Sequence, residues 1–168
     1  MSKEDFTEEE LNAVYKIVKQ YKEETIDSSE ESDNEYYGEY EESIPKNIVI
    51  SLLKRISGRL PTEEIVEINK DFLRRKYQTF NHSIDQKVYA TLKGALEHLN
   101  TVEMEYFNME NAEFKKRKID VYYTSSKYTI GYCHLKKDIR KFRTSRIGKA
   151  KIISLKYKIP TSFDKNDY

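Results

Sequence analysis

Residues 127–147 read KYTIGYCHLKKDIRKFRTSRI, and this stretch holds the pattern that decides the fold. Aromatic and β-branched residues recur at every second position in its first half, which predicts a strand over 127–135. A basic turn at 136–138 leads into a second predicted strand over 139–147. Cationic and aromatic side chains on adjacent strands suit a flat, anionic partner, such as a nucleotide or single-stranded nucleic acid.

The same period of two extends to both sides of this predicted hairpin. It predicts further strands over residues 101–108, 116–125 and 149–159. Five short strands with close connections favour a small antiparallel β-barrel, because closure removes the exposed edges of an open sheet.

Before residue 101, apolar residues recur at helical spacing instead, which predicts a helical N-terminal part and an α+β fold class. Thr7 and Glu10 form a capping-box pattern at the start of the first helix, and Ser83 is the candidate cap of the last. The predicted helices cover residues 8–24, 46–57 and 84–99, and a third helix or an extended connector covers 62–80.

The formal net charge of +1 conceals a strong asymmetry along the chain. Residues 1–43 hold 15 acidic and 4 basic side chains, a net charge of −11, whereas residues 111–158 hold 3 acidic and 15 basic ones, a net charge of +12. The basic segment would attract phosphates. Residues 27–43 are dense in acid and poor in aliphatic side chains, so we predict a mobile acidic linker within a helical region 1–82.

The sequence favours a binding protein over an enzyme. Cys133 is the single cysteine, which excludes an intramolecular disulfide and a thiolate metal site, and we expect it to be a buried strand residue. His82, His98 and His134 show no metal-ligand spacing, and the sequence holds no Gly-rich phosphate loop or nucleophile motif. We therefore expect no catalysis, no metal and no cofactor. With no membrane-length apolar stretch and no signal peptide, the sequence predicts a cytoplasmic protein that does not engage a membrane.

Several motifs resemble, in their order, those of the WYL domain. They are Tyr128 before GYCHL, the RKFR run that starts at Arg140, the Arg146-Ile147 pair, and the closing IPTSFD. The resemblance covers about residues 83–164 and implies a WYL-like domain over 83–168, built as an Sm-like or SH3-like β-barrel. It also implies a ligand-sensing module of the kind found in prokaryotic transcription regulators, some of which bind nucleotides or nucleic acid.

The resemblance also supplies the candidate site. Tyr128 stands at the family's central tyrosine, while Lys127 stands at the place of its name-giving tryptophan. If no bulge intervenes, Arg140, Phe142 and Arg146 share one strand face, with Phe142 as a packing residue. The candidate ligand-binding residues are Lys127, Tyr128, Tyr132, His134, Arg140, Arg143 and Arg146.

The N-terminal helices resemble the connector that follows a winged helix in the family, and we expect a regulator that lacks this DNA-reading part. The leading hypothesis is a non-enzymatic regulatory or ligand-sensing protein that binds a nucleotide or single-stranded nucleic acid, in transcriptional or defence-related regulation. The alternative is a protein–protein adaptor or oligomerisation module, in which the acidic linker and the basic face mediate assembly with a second copy or a partner regulator. An RNA-binding Sm-like module is a third possibility.

Overall fold

The computed structural model describes residues 5–27, 44–78 and 84–168. The chain divides into two compact units, Met1–Asn69 and Lys70–Tyr168. The predicted acidic linker beyond Asp27 and the predicted boundary between residues 82 and 83 lie outside the described residues. No helix in the described ranges is long and apolar enough to cross a membrane.

In the described ranges, the part of the chain before the sheet domain is helical. Helix α1 (Glu8–Tyr21) begins at the predicted capping box, in which Thr7 and Glu10 cap each other, and it continues into a π-helical turn at Lys22–Asp27. Helix α2 covers Lys46–Ser57, as predicted, and α3 covers Thr62–Gln78. The third segment is therefore a helix and not an extended connector.

Helix α4 (Gln86–His98) begins at a different cap from the predicted one. The Asp85 carboxylate accepts hydrogen bonds from the main-chain nitrogens of Lys87 and Val88, at 2.8 and 3.2 Å, while Ser83 lies outside the described residues. The helix ends at Leu99, whose φ of 51° is left-handed. A left-handed residue commonly ends a helix and turns the chain into the next element.

The described strands form one antiparallel sheet in the order β4-β3-β2-β1-β5. The α+β class is confirmed, but the sheet is open, with β4 and β5 at its edges, so the predicted barrel closure is not confirmed. The strands are β1 (Asn100–Asn108), β2 (Glu113–Thr124), β3 (Tyr128–Cys133), β4 (Asp138–Arg143) and β5 (Ile147–Lys156).

A 3₁₀ turn at Thr144–Arg146 separates β4 from β5. The predicted strand over 139–147 is therefore wrong in its second half. Arg140 lies on β4, whereas Arg146 lies in the turn, so the two arginines do not share a strand face as predicted.

Helix α4 packs on one face of the sheet and forms the core with it. Phe142 is 5% exposed and Cys133 is fully buried, which confirms both as packing residues. Gly131 lies opposite Val121 on this face, and a Cβ there would collide with the main-chain oxygen of Asp120. The core residues are Val88, Leu92, Ala95, Val102, Met104, Ile119, Val121, Cys133, Phe142 and Ile147.

The opposite face carries Tyr128, Ile130 and Tyr132, the alternate residues of β3. Strict alternation along β2 would point Tyr122 and Tyr123 to opposite faces, but the β2–β3 register shifts between Val121 and Tyr123. Both tyrosines are half-buried, and C-terminal residues contact both rings. The register shift is a β-bulge, in which an extra residue in one strand breaks the alternation of side chains between the two faces.

Candidate ligand-binding face

The sheet face opposite α4 brings aromatic and basic side chains of β3 and β4 together. Tyr128 and Tyr132 are both half-buried and lie on this face. Lys141 pairs with Ile130 in the ladder, and its Nζ lies 4.5 Å from the centroid of the Tyr128 ring. We call Tyr128, Tyr132, His134 and Lys141 the hairpin face. An ammonium over a tyrosine ring forms a cation–π contact, which presents positive charge and an aromatic surface side by side.

His134 is anchored to the sheet through Asp120. Its Nε2 lies 2.9 Å from Asp120 Oδ1, and its ring meets Tyr132 edge-on with centroids 5.5 Å apart. Thr101 Oγ1 donates to the same Asp120 oxygen at 2.6 Å. Asp120 is 7% exposed and Thr101 is fully buried, whereas the His134 side chain is 34% exposed. The buried pair thus fixes an imidazole that still reaches solvent.

Sequence reasoning missed Asp120 and Thr101. The available signal was an acidic residue inside the apolar run IDVYY, since a carboxylate in a buried strand needs hydrogen-bond donors. Neither donor could be located from the sequence, because Thr101 lies on β1 and His134 directly follows β3. Both elements flank β2, and their pairing with it is not visible in the sequence.

Arg143 and Arg146 bind the end of helix α3. Arg143 Nη1 donates to the main-chain oxygen of Gln78 at 3.1 Å, and Arg146 Nε donates to that of Tyr77 at 3.2 Å. The last carbonyls of a helix lack intrahelical donors, and cations there also complement the helix dipole. Tyr77 itself stacks on the buried Phe107, with ring centroids 4.4 Å apart. Both arginines therefore help to fix this helix end.

Arg140 and Lys127 are exposed instead. The Arg140 side chain is 53% exposed, and its Nε lies 3.5 Å from Asp138 Oδ2. An exposed ion pair of this kind contributes little stability, so Arg140 can exchange Asp138 for another anion. Arg140 pairs with Gly131 in the ladder, which places it on the α4 side at the open β4 edge, not on the hairpin face.

The charge around this hairpin is strongly one-signed. Residues 127–146 hold seven Lys and Arg side chains and one Asp, a net charge of +6. Such a density raises the local concentration of phosphate-bearing ligands. No group of three His, Cys, Asp or Glu side chains that could hold a metal occurs in the described ranges.

The C-terminal segment, residues 157–168, also lies against this sheet. The Tyr157 hydroxyl donates to the main-chain oxygen of Val121. Burial raises the pKa of the Tyr157 hydroxyl, and the Asp120 carboxylate raises it further. Burial also raises the pKa of Tyr122, with the Asp120 carboxylate as the next cause. Both phenols are thus held in their neutral form.

Residues 87–152 match the family model of the WYL domain. They form a WYL domain. The match confirms the resemblance, and it includes α4, the sheet as far as Ile152 in β5, and the seven candidate residues of the 127–146 stretch.

One solved structure with which the chain aligns is proteasome accessory factor B/C (PafBC) of Arthrobacter aurescens. The sequence identity is 18% and the TM-score is 0.37, over 90% of this chain and 21% of the other. The chain thus spans about a fifth of that structure's length. No curated protein matches the sequence.

Proposed function

We propose that this chain is a non-enzymatic regulatory protein whose WYL domain senses a nucleotide or single-stranded nucleic acid at the hairpin face. The observation that carries the proposal is the Lys141 ammonium above the half-exposed Tyr128 ring, within a hairpin of net charge +6. The WYL domain supports the regulatory part, because the family is typical of ligand-sensing regulators. A closed Sm-like barrel stays a prediction.

The chemistry of the face fits such a ligand in two ways. On the face itself the Lys141 ammonium offers a cationic group to phosphates, and the exposed side chains of Lys127 and Arg140 add positive charge elsewhere on the same hairpin. Tyr128 and Tyr132 offer rings to bases, and stacking of a base on an aromatic side chain contributes about 1–3 kcal/mol. Every base has such a flat face, so the site would accept single strands with little sequence preference.

A second candidate function rests on α2. Ile48, Ile50 and Leu52 are 46%, 46% and 38% exposed, and Ile48 and Leu52 lie one helical turn apart, so they form an exposed apolar pair on one face of α2. An adaptor that self-associates through α2 would change its assembly state when these residues become polar. Light scattering of the full chain and of I48S/I50S tests this: an unchanged mass at all concentrations removes the candidate.

The experiment for the leading proposal is a titration of the full chain with a labelled single-stranded oligonucleotide at two salt concentrations. The test variant is R140A/K141A, which removes two basic side chains of β4. The matched control is K54A/R55A, which removes an exposed Lys-Arg pair of α2. Alanine suits a helix interior, so the control should fold normally.

We expect binding that weakens with salt, because each neutralised phosphate releases counterions. R140A/K141A should bind at least tenfold more weakly and with a smaller salt slope, whereas K54A/R55A should bind like the natural protein. DNA and RNA oligonucleotides of one sequence reveal whether a 2′-hydroxyl is recognised. Equal affinities of the two double variants would overturn the proposal.

A further inference from the structure

The C-terminal segment contacts both strands that flank β3. On β2, the Phe163 ring packs against Tyr122 with centroids 5.2 Å apart, and Lys165 Nζ lies 5.1 Å from the Tyr123 ring centroid. On β4, Lys141 Nζ donates to the main-chain oxygen of Tyr168 at 2.6 Å. The segment therefore bridges β2 and β4 beside the strand that carries Tyr128 and Tyr132.

Lys141 is shared between this segment and the proposed ligand site. Its ammonium lies over the Tyr128 ring and at the same time binds the Tyr168 oxygen. A phosphate that binds Lys141 would bring a second oxygen group to the ammonium that the Tyr168 oxygen already contacts, so the two compete for one cation. Residues 161–168 also resemble the ligand chemically, because they carry two carboxylates, Asp164 and Asp167, and two aromatic rings.

The segment is fixed at one end and loosely held at the other. Tyr157 is half-buried and hydrogen-bonded to the main chain of β2. In residues 161–168 Phe163 is half-buried and the other side chains are exposed. Elements with little buried apolar area are the ones that open at low free-energy cost. The outer part can therefore leave the sheet while Tyr157 remains in place.

We infer that residues 161–168 are an intramolecular competitor for the hairpin face, and that an anionic ligand displaces them when it binds. The inference rests on the proposed function and adds its regulation: the free protein holds the face partly covered, and ligand binding releases the C-terminal residues. Their release is then the signal available to a partner.

The test is the oligonucleotide titration with F163A in the full chain. Removal of the Phe163 ring weakens docking of the segment, so affinity should rise about three- to tenfold. K165A removes the contact with the Tyr123 ring but also one cation that attracts the oligonucleotide, so its gain in affinity should be smaller than that of F163A. The control is L155A, which truncates an exposed aliphatic side chain of β5 and should leave affinity unchanged.

A second readout follows the segment itself. Chymotrypsin cleavage after Phe163, measured by mass spectrometry on the natural protein, should become faster when the oligonucleotide is added. If the natural protein and both variants bind with equal affinity and cleavage is unchanged or slower, the competition is refuted while the proposed function stands. If no variant binds the oligonucleotide, the proposed function itself fails, and the inference with it.

Discussion

Arg146 donates from Nε to the main-chain oxygen of Tyr77, 3.2 Å away, at the C-terminal end of α3. Arg143 donates in the same way to the main-chain oxygen of Gln78. The two hydrogen bonds thus connect the end of α3 to the region where the 3₁₀ turn joins β4 to β5. Dense positive charge in a sequence therefore does not equal charge available to a ligand. In this hairpin the exposed cations are those of Lys127, Lys136, Lys137, Arg140 and Lys141.

Arg146→Ala should destabilise the fold more than Arg140→Ala. It removes a charged hydrogen bond to a helix-end carbonyl, which contributes about 1–2 kcal/mol to the free energy of unfolding. Arg140→Ala removes an exposed pair and should change it by less than about 0.5 kcal/mol. Urea unfolding measures both. Equal effects would show that the contact with Tyr77 contributes nothing to stability.

Gly131→Ala and Gly94→Ala should act in opposite directions. A Cβ at Gly131 would collide with the Asp120 main chain and crowd an Ile119 methyl, and overpacking of this kind costs about 1–3 kcal/mol. At Gly94 a Cβ would meet the Ile152 Cδ1 at 3.7 Å, an ordinary contact. Because Gly94 lies inside α4, alanine should add roughly 0.5–1 kcal/mol there. Thermal unfolding of the two variants provides the comparison, and a shift of Tm in the same direction would contradict it.

Asp120→Ala should cost more stability than His134→Ala. It leaves the fully buried Thr101 hydroxyl without its acceptor, a penalty of about 1–3 kcal/mol, whereas His134 is partly exposed. Adding Thr101→Val to Asp120→Ala should recover part of the loss, because no buried hydroxyl then remains unpaired. A double variant that is less stable than Asp120→Ala alone would argue against this role of the pair.

Tyr157 should make the fold sensitive to alkali. Its pKa is raised in the folded protein above the ordinary value near 10, so the folded state retains the proton after the unfolded chain has lost it. The stability it contributes is fully present below pH 10 and decreases as pH rises above that value. Tyr157→Phe should flatten this decrease in urea unfolding measured from pH 8 to 11. A parallel decrease in both proteins would show that other groups cause it.

The helices and the strand order in sequence were predictable because local periodicity specifies them. The 3₁₀ turn at Thr144–Arg146 was not. Thr144 is buried, its Oγ1 donates to the Ser125 main-chain oxygen at 2.9 Å, and its nitrogen donates to that of Lys127 at 3.0 Å. These partners are 17 to 19 residues away, so an apparently continuous strand pattern concealed the break.

The candidate site was predictable in composition but not in arrangement. Tyr128 and Tyr132 lie on one face because side chains alternate along β3, and the ring of His134, which directly follows the strand, contacts Tyr132. The bulge after Val121 places both Tyr122 and Tyr123 within reach of the C-terminal segment, and alternation alone excludes this. Closure into a barrel would require the two edge strands, β4 and β5, to pair with each other, and the strand pattern concealed the 3₁₀ turn at Thr144–Arg146 that joins them.

The most direct test of the central claim is chemical-shift mapping of the backbone amides of the full chain during titration with a single-stranded oligonucleotide. The account predicts that the largest changes occur in residues 127–143, with further changes in residues 161–168 as the C-terminal residues are displaced. Changes confined to residues 5–69, or none at an oligonucleotide concentration of about 1 mM, where even weak nonspecific binding saturates, would contradict it.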